Sequence, residues 1–271
     1  MSPHGAKPLD VVVDGRTFRR IPIHTDVLRA GRDPAEAVLT FAGPHAQTGD
    51  TVVLSESAVA IMQGRGRDWR TITPGRLALA MSRRVTETAW GEGLRNKYAM
   101  QYAIELIGAP RILLASMAHV VGKVLGRKGW FYLVAGLDAR MMDAPCHTGI
   151  EENFNLVIPA PADPRGTCAA IKAATGFDAA ICDINDIAPA WCVASTLTKE
   201  RARLLARSFD DNPLGQFDEQ TPIGIWREVE GAIASDTRAP ADRPSRCAAH
   251  DRRLAAGSPE ANGPRSPSAP P

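Results

Sequence analysis

The sequence predicts an α+β fold. Two β-prone runs joined by a turn open the chain, strand and helix patterns then alternate irregularly, and regular βαβ units are few. That order favours two interlocked lobes over one doubly wound sheet.

The elements follow in order. Asp10 to Val13 and Thr17 to Ile23 flank Asp14-Gly15-Arg16, a hairpin turn signal. Asp33-Pro34 starts a helix, because Asp caps free amides and Pro suits the first helical position. Thr48-Gly49-Asp50 turns the chain into a buried strand, Thr51 to Leu54. Helices are expected at Gly75 to Val85 and Lys97 to Ile107, and Ile112 to Leu114 reads as a short strand or a helix start. Trp130 to Gly136 reads as a strand, followed by an acidic loop and a strand at Asn155 to Ile158. A helix at Pro164 to Ala174, a strand at Ala179 to Asp183, a helix at Lys199 to Ser208 and a strand at Ile223 to Trp226 complete the order. Residues 1–234 form the folded domain. From 235 to 271 the chain is rich in Pro, Ala and Arg and predicts a disordered tail, since it holds too little apolar surface to offset ordering entropy.

Composition narrows the partners. The chain has 271 residues, 44% of them hydrophobic, enough for a substantial core. It shows neither an apolar run long enough to span a bilayer nor a secretory leader pattern, so the cytoplasm is the expected location. A formal net charge of +2 gives no field for nucleic acid or membrane, which points to small-molecule or protein partners. Five cysteines without a C-x-x-C spacing read as reduced, mostly buried thiols.

Two acidic turns carry the candidate chemistry. Phe131 to Asp138 and Ala179 to Asp186 each end an apolar run on carboxylates, and rigid strand ends suit a shared Mg²⁺ or Mn²⁺. Asp and Asn are equally at home where any strand turns. The density of Asp183-Ile184-Asn185-Asp186, with Asp143, Glu151 and Glu152 after Asp138, favours a polar site. Gly91-Glu92-Gly93, ahead of the helix at Lys97, offers amides to a phosphate but lacks a full nucleotide-binding fingerprint. Arg65 and Lys123 are the cations least easily read as solvated surface charge. The histidines form no zinc-hydrolase spacing, and the adjacent Cys146-His147 are better read as packing than as a thiol catalyst.

Several segments, taken in order from about Ile21 to Arg227, resemble the coenzyme F-420 gamma-glutamyl ligase family. They are Ile23-His24-Thr25-Asp26, Gly49-Asp50-Thr51-Val52-Val53, Gln63-Gly64-Arg65, Thr73-Pro74-Gly75-Arg76, Ala135-Gly136-Leu137-Asp138, Ile181-Cys182-Asp183, and Asn212-Pro213-Leu214-Gly215-Gln216 through Ile223. The resemblance implies an intertwined homodimer and a GTP-dependent, Mg²⁺- or Mn²⁺-assisted ligation of glutamate to a carboxylate substrate. It places Asp138 and Asp183 at the family's catalytic metal-binding positions; the residue after Asp183 is Ile184 rather than a hydroxyl residue, and Asn185 and Asp186 could substitute as the further metal ligand. Gly215 and Gln216 lie in the family's Gly-Gln element as cofactor-binding residues, and the cations Arg65 and Lys123, read from the sequence itself, could neutralise a nucleotide or another polyanionic small molecule. The family carries a lysine and a glutamate where this chain has Ile61 and Gln63, which leaves open a non-catalytic metabolite- or anion-binding module on the same fold.

Overall fold

The structure, a computed structural model, describes residues 7–85, 92–145, 150–186, 188–215 and 219–229. These lie in one compact unit, Met1–Thr237. The predicted tail falls outside the described residues, as do Cys146-His147, Gln216 and the first glycine of Gly91-Glu92-Gly93.

The N-terminal hairpin forms as expected from β1 (Asp10–Val13) and β2 (Arg16–Ile23). Its turn places Asp14 at φ 51° and Gly15 at φ 75°, the left-handed conformations that a tight two-residue hairpin needs and Asp-Gly supplies. Asp33 caps α1 (Pro34–Ala37), its Oδ1 accepting from the amides of Ala35 and Glu36 at 2.8 and 2.9 Å. A π-helical turn at Val38–Ala42 continues that helix. Then follow β3 (Thr51–Ser55), α2 (Glu56–Met62), β4 (Arg67–Asp68), α3 (Arg76–Ser82), α4 (Lys97–Ile107) and α5 (Ala109–Val124). After them come α6 (Trp130–Ala135), α7 (Leu137–Arg140), β5 (Leu156–Val157), α8 (Pro164–Thr175), β6 (Asp178–Asp183), β7 (Trp191–Ser195), α9 (Lys199–Ser208) and β8 (Ile223–Val229).

The sheet has strand order β1-β2-β8-β3-β6-β7, with β3 parallel to β6 and antiparallel to β8. Successive side chains of a strand point to opposite faces, so the apolar run of β3 serves two cores. Val52 and Leu54 join Ile181, Ile223 and Ile225 beneath α1, α2 and α8. Val53 joins Ala180, Trp226 and Phe18 against Leu204, Leu205 and Phe209 at α9. A third core, around Met100, Ala103, Ile112, Ala115 and Ala135, belongs to helices α3 to α7.

One expectation is overturned. Trp130 to Gly136 is not a buried strand ending on a carboxylate: it is the helix α6, and Asp138 stands in α7. A short apolar run does not by itself separate strand from helix. Here glycines at positive φ, Gly129 and Gly136, bound a six-residue helix whose one buried residue is Ala135. Ile112 to Leu114 resolves as helix, part of α5. Among the described residues no single helix is long and apolar enough to cross a membrane; α4 and α5, bent by 111° to each other, meet that length and composition only as a pair.

Candidate functional site

The parallel register of β3 and β6 builds the site. Ser55 pairs with Cys182, so the next residues, Glu56 and Asp183, leave adjacent parallel strands at the same end. In open sheets, the carboxyl ends of parallel strands are where a crevice opens to ligand. Asp143 joins them through a bridge to Ile158, with N–H···O distances of 2.8 and 3.1 Å.

The Ser57 hydroxyl lies between two carboxyls, 2.8 Å from Glu56 Oε1 and 2.8 Å from Asp143 Oδ2. A hydroxyl has one proton and cannot donate to both. The arrangement is satisfied when one carboxyl is protonated and donates to Ser57 Oγ, which in turn donates to the other. Glu56 is the protonated one: it is buried, and desolvation, followed by the charges of Asp143 and Asp183, pushes its carboxyl up to about 8. The result is a proton path from Glu56 through Ser57 to Asp143. Ser55 Oγ, at 3.3 Å, donates to Glu56 Oε2. Asp183 accepts from Asn185 Nδ2 at 3.1 Å, and Asn185 Oδ1 accepts from the Ala188 amide at 2.8 Å, which fixes the loop after β6.

The other residues singled out from the sequence have their own surroundings. Asp138 pairs with Arg65, Oδ1 to Nη2 at 2.7 Å, so an expected ligand and an expected nucleotide contact hold one another. Tyr102 donates to the Arg65 carbonyl at 2.8 Å and steadies that segment. Asp186 accepts from Lys7 Nζ at 3.0 Å and Asn212 Nδ2 at 3.2 Å. Lys123 is exposed in the last turn of α5, where a cation suits the helix dipole. Gly215 has φ 76°, and a Cβ there would lie 2.6 Å from the Glu219 carboxyl carbon, so no side chain fits without displacing Glu219. Ile61 is buried against Ile158, and Gln63 braces the loop before α8, donating to Ala162 O at 3.0 Å and Thr167 Oγ1 at 3.1 Å while its Oε1 accepts from the Ala162 amide at 2.7 Å.

Glu56 and Ser57 escaped the sequence reading. The signal at Glu56 resembles that at Asp183, a carboxylate where a buried strand stops: Val52-Val53-Leu54-Ser55 precedes Glu56 and Ala179 to Cys182 precedes Asp183. Among the described residues, no group of three or more His, Cys, Asp or Glu side chains is arranged to hold a metal ion. Mg²⁺, however, commonly takes one or two carboxylates and completes its shell with water and substrate phosphates. Asp143 and Asp183 each lie near enough to Glu56 to add to the upward push on its carboxyl, of which burial is the larger cause.

A family model described as F420-0:Gamma-glutamyl ligase matches residues 22–181. The match runs from the end of β2 into β6 and takes in Glu56, Ser57, Arg65, Asp138 and Asp143. No curated protein matches the chain.

Proposed function

The chain belongs to the F420-0:gamma-glutamyl ligase family, and on that premise we propose that it joins the amine of an amino acid, glutamate, to a substrate carboxylate in a reaction driven by a nucleotide such as GTP. The observation that carries this reading is the pair of adjacent strand ends bearing Glu56 and Asp183, with Asp143 reached through Ser57.

Each residue has a task in this reading. Glu56, after handing its own proton to Ser57, takes the proton of the incoming ammonium group. A carboxyl held near 8 is matched to that work at neutral pH, where an ordinary glutamate is too weak a base. Ser57 passes the proton toward Asp143 Oδ2. Arg65, oriented by Asp138, meets the anionic substrate. Asp183 would hold Mg²⁺ or Mn²⁺, with water and phosphate oxygens completing the shell, and the ion when bound would supply charge neutralisation at those oxygens.

The test is phosphate release from GTP with Mn²⁺, glutamate and a panel of carboxylic acids. Glu56→Gln should lower turnover about 10²- to 10⁴-fold, the usual weight of a general base. Equal rates for the two proteins would remove Glu56 from the chemistry. Wild type inert with every acid, yet binding anions, would favour the module reading, which the structural roles of Ile61 and Gln63 support.

The reading includes a homodimer. Leu113, Met117, Val120 and Val124 form an exposed stripe on α5 at the four- and three-residue spacing of a helix–helix seam. Of fourteen large exposed apolar residues among those described, eleven fall between Leu106 and Leu137.

A further inference from the structure

We propose that Cys182 and Cys192 are a redox modification site: a peroxide joins them in a reversible disulfide that staples the edge strand β7 to β6 directly behind Asp183.

The placement comes from an irregularity in the sheet. Ile181 pairs with Ala194, but Cys182 pairs with Cys192, so β7 carries an extra residue, Val193, at this point. The slip sets the two cysteines opposite each other. Directly opposed residues of antiparallel strands have Cα atoms about 4.5–5.5 Å apart, within the roughly 4.4–6.8 Å that a disulfide spans. Both side chains pack in the same core cluster, and the Cys192 thiol donates to Ala194 O at 3.5 Å.

The surroundings assign the two roles. Cys192 is half-buried on the outermost strand, where a small oxidant reaches it, whereas Cys182 is fully buried behind it. Cys168, the third thiol here, donates to Ala194 O at 3.5 Å and is pushed by burial up to about 12, so it stays a bystander.

The chemistry balances with one peroxide. The Cys192 sulfur attacks a peroxide oxygen, the O–O bond breaks, and Cys192 becomes a sulfenic acid while the first water leaves. The Cys182 sulfur then attacks the Cys192 sulfur. The S–O bond breaks, the Cys182 proton leaves with the hydroxyl as a second water, and the disulfide forms. Two thiols are oxidised and one peroxide is reduced.

The consequence falls on the site. Asp183 follows Cys182 directly, so the staple pins the strand end that presents this carboxylate. The proposal stands apart from the ligase assignment, because its test reads bond formation and melting rather than turnover.

Full-length protein is treated with hydrogen peroxide, digested without reductant and mapped by mass spectrometry. The expected product is a peptide pair linking Cys182 to Cys192, lighter by two hydrogens than the separate thiols and released by dithiothreitol. The oxidised protein should melt a few degrees higher, and the shift should vanish in Cys192→Ser and in Cys182→Ala. A Cys192 sulfinic acid without a link, a link to any other cysteine, or no oxidation at either position would overturn it.

Discussion

The strands around β3 and the helices around α5 distribute apolar side chains in opposite ways. β3 is buried on both faces, Val52, Val53 and Leu54 all being fully enclosed. α5 buries Ile112, Ala115 and Gly122 on one side and leaves Leu113, Leu114, Met117, Val120, Val121 and Val124 exposed on the other. The sheet satisfies its own hydrophobic pattern within one chain; the helical half satisfies only one side of it. The difference teaches where stability is intrinsic and where it waits on another surface.

The sharpest contrast is energetic. Leu54→Ala, in the core beneath α1, α2 and α8, should cost about 2–5 kcal/mol in chemical denaturation, because the surrounding strands cannot collapse into the gap. A loss under 1 kcal/mol would mean that the centre of the sheet is loosely packed and would erase the contrast.

Next in size is the pH response at the end of β3. Glu56 has its folded value raised from 4.5 to about 8. The folded state therefore holds a proton that the unfolded chain has already released, so this group's contribution is whole below about 4.5 and is lost as pH rises through about 8. Melting temperature should fall across that window in wild type and fall less in Glu56→Gln. Identical curves would place Glu56 in a wetter, less charged setting than its burial implies.

The helical half is probed by charge. Val120→Asp combined with Val124→Asp should shift the protein from dimer to monomer in light scattering while leaving the monomer's fold intact by circular dichroism, because both side chains are exposed. A wild type that is monomeric at every concentration would show that the α5 seam meets something other than a second copy. Smallest of all, Leu133→Ser, at a residue 78% exposed, should change stability by no more than about 0.5 kcal/mol, well under the loss from Leu54→Ala.

The same division governs what could be read from the sequence. Local chemistry was legible: the Asp14-Gly15 turn, the Asp33 cap, the buried run of β3 and the spans of α4 and α9 all stand where composition and spacing put them. α6 was misread because six apolar residues satisfy either period and only packing against α5 decides. There the Trp130 ring sits so close to Gly122 that a Cβ would come within 2.9 Å of it. β7 was missed because a short edge strand is defined by its neighbour. The site shows the same limit. The strand that ends on Asp183 was legible because its apolar run announces it, whereas the meeting of Glu56 with Asp183 depends on β3 lying parallel to β6, a pairing across more than a hundred residues that no local pattern encodes.

The central claim is that the ends of β3 and β6 bind the reacting groups. The most direct test is calorimetric titration of GTP, with and without Mn²⁺, into wild type, Asp183→Ala and Glu56→Gln. The account predicts Mn²⁺-dependent binding that Asp183→Ala abolishes and Glu56→Gln retains, since Glu56 acts on the amine rather than on the phosphates. Binding that is unchanged in Asp183→Ala, or absent from wild type, would contradict it.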